Sequence, residues 1–151
     1  MTNPPFRSPR VKLAGLYHLA RMLDKSRLHL EGRLPDEYRP NLGSALGLDG
    51  HLCGFLGISF EDLCERIRQG GSDEEIVEWC FHTGCRPNPV QRRIWNEFAR
   101  KAGWNDRVSA FIAATKAEDG LSDRTDLVTA FDLIDFREGR SHESAEKSAS
   151  T

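Results

Sequence analysis

The segment Arg7 to Gly32, RSPRVKLAGLYHLARMLDKSRLHLEG, constrains the fold more than any other part of the chain. At 100° per residue, Leu16, Leu19, Leu23 and Leu30 form one apolar stripe, while Arg21, Asp24 and Lys25 lie opposite, flanked by Tyr17 and Leu28. A helix with apolar residues on more than one side belongs in the middle of a bundle, which part-buries the charged trio. Buried charge is costly unless it is paired, so these side chains predict specific partners, either internal or supplied by a ligand.

The rest of the chain is punctuated as short helices. Ser8-Pro9 offers a hydroxyl cap and a first-turn proline, and the main helix is expected from Leu16 to about Glu31, ended by Gly32. Residues 33–48, rich in Pro, Gly and Asn, read as an irregular loop, after which Asp49 is expected to cap a short apolar helix ending near Gly57. Ser59-Phe60-Glu61-Asp62 and Ser72-Asp73-Glu74-Glu75 match the capping box, and Asn88-Pro89-Val90-Gln91 supplies a cap, a proline and a reciprocating amide. Gly70-Gly71, Gly84 and Gly103 are stops. Val90, Ile94, Trp95 and Phe98 keep helical spacing, as do Val108, Phe111, Ile112 and Thr115, and then Leu127, Ala130, Phe131 and Ile134.

No run of β-branched alternation supports a sheet. The expected fold is all-α: an irregular bundle of six to seven short helices around a central N-terminal helix. Residues 1–8 are expected as an extended arm, 9–139 as a single helical domain and 140–151 as a disordered tail.

Composition narrows the function classes. With 38% hydrophobic and 29% charged residues and a formal net charge of −2, the profile is that of an ordinary globular chain. No signal peptide is visible, and the least charged window, residues 41–60, contains Asp49 and several glycines, so no membrane span is expected and a cytoplasmic location follows. The charge is unevenly placed. Arg7, Arg10, Lys12, Arg21, Lys25, Arg27 and Arg33 dominate the first 33 residues, whereas Glu61, Asp62, Glu65, Asp73, Glu74, Glu75 and Glu78 dominate residues 61–78. A sequence pI of about 6.2 argues against nucleic-acid binding, although Gln91-Arg92-Arg93, Asn96 and Arg100-Lys101 make a second basic face.

The pattern Arg7-Ser8-Pro9-Arg10, Gly15, Leu19, Arg21, Asp24-Lys25 and Arg27 resembles the opening of an uncharacterised bacterial family catalogued as domain of unknown function 5069. Ser72 to Glu75 leading to Trp79, the Trp95-Asn96 pair and the segment Asp126 to Asp135 resemble its later parts, so the likeness spans roughly residues 6–139. It implies that the N-terminal pattern characterises the family, that the cysteines are particular to this chain, and no activity.

The candidate site is therefore read from residues. One reading is an anion pocket in which Arg7, Arg10, Arg21 and Tyr17 bind a carboxylate or phosphate, with Lys25 as point charge or amine catalyst and Asp24 as proton acceptor. Its structural counterpart is a network in which Arg21–Asp24 ties the arm to the helix. A non-catalytic module that docks a protein partner through its charged faces is the alternative.

Cys80 and Cys85 with Cys53 and Cys64 lack the paired knuckle spacing of a zinc site, so core cysteines are expected, and neither metal nor cofactor. Cys85 beside Arg86 is the one candidate for a reactive thiol. Trp79, Trp95 and Trp104 are expected in the core, with pocket lining as the other use. His18, His29 and His51 have no partner at metal or triad spacing and are expected as surface or hydrogen-bonded side chains. No nucleophile elbow, phosphate loop, dinucleotide fingerprint or zinc-helix motif is present.

Overall fold

The computed structural model describes residues 4–140 and is all-α. Seven α-helices follow in chain order among these residues: α1 (Leu19–Leu30), α2 (Leu48–Leu56), α3 (Phe60–Arg68), α4 (Asp73–Thr83), α5 (Pro89–Lys101), α6 (Ser109–Glu118) and α7 (Ala130–Arg137). A 3-10 helix, Asp36–Asn41, interrupts the expected loop between α1 and α2. Residues 141–151, read from sequence as a tail, lie outside the described residues.

The helix boundaries follow local chemistry. Ser72 and Asn88 form reciprocal capping boxes with Glu75 and Gln91, and Thr129 does the same with Asp132. At α3 the reciprocity is incomplete: the Ser59 hydroxyl accepts from the Asp62 amide, without the return bond. Gly57 closes α2 in the left-handed conformation that glycine adopts without steric penalty.

Two expected boundaries move. At Ser8-Pro9 a single hydrogen-bonded turn forms, the Val11 amide donating to the Ser8 carbonyl at 3.1 Å, and the main helix opens at Leu19 rather than Leu16. The cause is a two-residue turn at Ala14-Gly15, both at positive φ, which pairs the backbones of Leu13 and Leu16 in both directions at 3.1 and 3.0 Å. The chain then passes through His18, itself at φ 74°, before α1 begins. At α2 the cap is Gly47, and Asp49 lies inside the first turn with its carboxylate buried and turned toward α1.

α1 is central, as its two apolar sides require. Leu16, Leu19, Met22 and Leu23 are completely buried against Leu52 and Leu56 of α2, Leu63 and Ile67 of α3, Ile76 and Cys80 of α4, Trp95 of α5 and Phe131 of α7. α1 packs mainly on α3, α3 on α4, and α5 and α6 on α7. The arm is pinned as well: Phe6 is buried with Leu28 and Leu34 and meets Tyr38 edge-to-face at 4.7 Å. Arg140, at the start of the expected tail, donates to the Phe6 carbonyl at 2.9 Å.

The helical spacing in α5 does not translate into burial. Trp95 is in the core, yet Val90, Ile94 and Phe98 are 51%, 60% and 45% exposed. These three stand at i, i+4 and i+8 on one face of α5, of which Phe98 meets the His51 ring of α2 at 5.6 Å. Trp104, expected inside, is 57% exposed in the turn after α5, and Trp79 is half-buried.

Candidate functional site

The charges of α1 meet carboxylates from distant parts of the chain. Arg7 donates three bonds to Asp24, through its backbone amide at 3.0 Å and its guanidinium at 2.9 Å, and a further one to Asp73, which also takes Arg27 at 2.6 Å. Arg10 bridges Asp132 at 2.6 Å and Asp135 at 3.0 Å, fastening the arm to α7. Arg21 is buried and grips Glu138 with two bonds, 2.8 and 2.5 Å, with its guanidinium 4.8 Å from the Phe6 ring centre. Arg140 and the Tyr38 hydroxyl complete the shell around Glu138. The arm is therefore held by Arg7–Asp24, not by Arg21–Asp24.

Lys25 and His18 share one carboxylate. His18 Nε2 lies 2.6 Å from Asp49 Oδ1, while Lys25 Nζ lies 3.1 Å from Oδ2, which also accepts the Gly43 amide at 3.0 Å. All three side chains are buried. Local backbone sets this up. The left-handed conformation at His18 costs about 1–3 kcal/mol for a residue with a Cβ, and persists because surrounding structure imposes it. Here the His18 amide donates to Pro9 O at 2.9 Å while its carbonyl starts α1 by accepting from Met22. Gly50 lets the Ser44 carbonyl press onto α2: a Cβ there would sit 2.2 Å from Ser44 O. That close approach folds Gly43 back onto Asp49.

Burial and charge displace the titrations of this group. Desolvation lowers the His18 imidazole pKa, against the opposing pull of Asp49, with Lys25 and Arg21 adding to the fall. Burial likewise lowers the Lys25 amine below the ordinary lysine value; Asp49 opposes this and Arg21 reinforces it. For Asp49, burial acts upward but is outweighed by the bond from His18, the Lys25 charge and the Gly43 amide, and the carboxylate is held well below its usual range. With Asp49 ionised and His18 neutral, Nε2 carries the proton and Nδ1 carries a lone pair. His18 Nδ1 is the one buried side-chain nitrogen or oxygen without a hydrogen-bond partner among the described residues. Leaving such an atom unpaired costs about 1–3 kcal/mol.

These polar groups border a cavity of about 320 Å³. His18, Lys25, Arg21, Asp49, Tyr38 and Glu138 form its polar side, and Leu48, Phe98, Val108, Phe111, Ile112, Leu133 and Ile134 its apolar walls. A mainly apolar concavity of this size with a few converging polar groups has the form of a small-molecule site. Formal charge at the polar side cancels, Arg21 against Glu138 and Lys25 against Asp49.

Of the residues singled out in the sequence, Arg21 and Lys25 come together at the cavity; Arg7, Arg10, Asp24 and Tyr17 do not line it. Tyr17 instead borders a separate polar groove with Lys12, Arg92, Arg93, Asn96 and Arg100. Its backbone amide is held by Asn96 at 2.9 Å. The tryptophans line neither space.

Sequence reasoning missed Asp49, Glu138 and the role of His18. Asp49 was legible as a buried acid only through its place in an otherwise apolar helix, and its first-turn position supported reading it as a cap. The cysteines lie where a packing role puts them: Cys53, Cys64 and Cys80 are buried and free, with burial pushing the Cys53 thiol up to about 12 and Cys80 to about 11, while Cys85 is exposed.

No curated protein matches the chain. Residues 3–140, essentially the whole described structure, match the profile of the family described as Domain of unknown function (DUF5069). The chain belongs to that family.

Proposed function

We propose that this domain binds a small molecule with an apolar body and one polar head group in the cavity over His18, Asp49 and Lys25, and performs acid–base chemistry on that head group. The observation that carries the reading is that buried His18, whose Nδ1 has no hydrogen-bond partner, lines a preformed cavity. Every other part of the arrangement is consistent with a site: the Asp49 carboxylate fixes the tautomer of His18, Lys25 has ammonium protons to spare, and the backbone at His18 is strained. The anion reading shifts accordingly. Arg7 and Arg10 are neutralised by carboxylates, so Lys25 rather than an arginine clamp meets the head group.

We place the protein in the cytoplasm, where the four free cysteines stay reduced; no described helix is long and apolar enough to cross a membrane. A non-catalytic docking role is the second reading, favoured by the exposed Val90–Ile94–Phe98 stripe.

The test is a thermal-shift series with short straight-chain and aryl alcohols, ketones and carboxylates. A ligand at one hundred times its Kd stabilises by about 2.7 kcal/mol, a rise of roughly 5–10 °C for a chain of this size. Shifts that vanish in Phe111→Glu, which puts a charge on the exposed cavity wall, support the reading. Shifts unchanged in that variant, or no shift with any member of the series, contradict it.

A further inference from the structure

We infer that Lys25 is an imine-forming amine and that the cavity takes a small apolar aldehyde or ketone, an assignment that rests on the small-molecule reading above. The geometry points there because two buried groups with unused bonding capacity border the same space. Lys25, 4% exposed, has one recorded acceptor, Asp49 Oδ2 at 3.1 Å, for an ammonium with three donors. His18 contributes the unpartnered Nδ1.

Charge selects the head group. Arg21 and Glu138 satisfy one another, as do Lys25 and Asp49, and the other lining cations, Arg107 and Arg137, are equalled in number by Glu37 and Asp106, so the lining has no net positive charge for an anion. A neutral carbonyl matches instead: its oxygen accepts from Lys25, its carbon is electrophilic, and its substituents meet Phe98, Val108, Phe111 and Leu133. An apolar pocket also favours the neutral amine over the ammonium, the condition for a lysine nucleophile, and the lowered pKa of Lys25 agrees with it.

The step balances without any further reagent. Asp49 Oδ2, 3.1 Å from Nζ, accepts one proton from the Lys25 ammonium. The freed Nζ lone pair forms the N–C bond as the carbonyl π pair moves to oxygen. Proton transfer from nitrogen to oxygen, and then from Asp49 back to the resulting hydroxyl, lets water leave and forms C=N. One ammonium and one carbonyl give one iminium and one water; charge is conserved, and the iminium faces the Asp49 carboxylate that the ammonium faced before. Asp49 ends ionised.

The experiment incubates the full chain with butanal, hexanal and benzaldehyde in the presence of cyanoborohydride, which reduces an iminium to a stable secondary amine, followed by intact-mass measurement and peptide mapping. The inference predicts single labelling at Lys25 at least tenfold faster than at exposed Lys12 and Lys101, and loss of that label in Lys25→Arg, which retains the charge toward Asp49. Hexanol, which cannot react, should protect Lys25 in the wild-type chain, so the result does not depend on the variant folding. Labelling of Lys25 no faster than of Lys12, or labelling that hexanol does not suppress, overturns the inference. If hexanol or hexanoate raises Tm but no aldehyde labels Lys25, the imine falls and the binding cavity stands; if neither binds nor reacts, both fall.

Discussion

Replacing Asp49 with Asn removes the shared countercharge of the site while keeping its shape, and the structure fixes what this costs. The variant loses the carboxylate that His18, Lys25 and the Gly43 amide all address. Removing one partner of a buried ion pair typically costs about 3–5 kcal/mol, because the other charge is left without compensation. Lys25 limits the damage by giving up its proton. Neutralising an amine with an unperturbed pKa near 10.4 at pH 7 costs about 1.36 kcal/mol for each of roughly 3.4 units, or about 4.6 kcal/mol.

The two figures agree, and the second carries a pH signature. At pH 9 the same neutralisation costs only about 1.9 kcal/mol. Urea unfolding of the wild type and Asp49→Asn at both pH values should therefore show a destabilisation of about 4 kcal/mol at pH 7 that falls by more than half at pH 9. The double variant Lys25→Met/Asp49→Asn should recover much of the loss at pH 7. A destabilisation below about 1 kcal/mol at pH 7, or one independent of pH, would refute the coupling of Lys25 to Asp49 argued here.

Glu138→Gln offers the contrast: Arg21 cannot shed its proton, so a loss of about 3–5 kcal/mol should persist from pH 7 to pH 9, measured by the same unfolding series. His18 should make folding acid-sensitive. Its folded pKa lies below the unfolded value of 6.5, so the unfolded chain takes up a proton that the folded chain refuses, and stability falls as pH drops below about 6.5, by at most 1.36 kcal/mol per unit. His18→Asn, which tolerates the left-handed backbone, should flatten that slope between pH 7 and 5. Gly50→Ala should destabilise by about 1–3 kcal/mol, because the added Cβ meets the Ser44 carbonyl at 2.2 Å, and should speed hydrogen exchange at the Gly43 amide.

The helices were legible because their punctuation is local. A cap, a proline and a terminal glycine act within one turn, and α3, α4 and α5 begin where Ser59, Ser72 and Asn88 place them. The centrality of α1 was legible for the same reason, from the wheel alone. The site was not, because its pairings cross the chain: His18 finds Asp49 31 residues away, and Arg21 finds Glu138 117 residues away. Periodicity says that a charge will be buried and says nothing of which distant carboxylate meets it. Asp24 shows the limit, since it sits one turn from Arg21 on α1 yet pairs with Arg7 of the arm. The exposed stripe on α5 and the surface position of Trp104 show another: helical spacing identifies an apolar face, not what covers it.

The central claim, a ligand site whose floor is a neutral His18 with an unused Nδ1, is most directly tested by ring-nitrogen NMR of histidine-labelled protein titrated with hexanol and hexanal. His18 should show a protonated Nε2 and an unprotonated Nδ1 at pH 7. Its Nδ1 resonance should move on ligand addition while that of exposed His29 stays fixed. A doubly protonated His18 in the free protein, or a Nδ1 resonance that stays in place when the ligand binds, would contradict it.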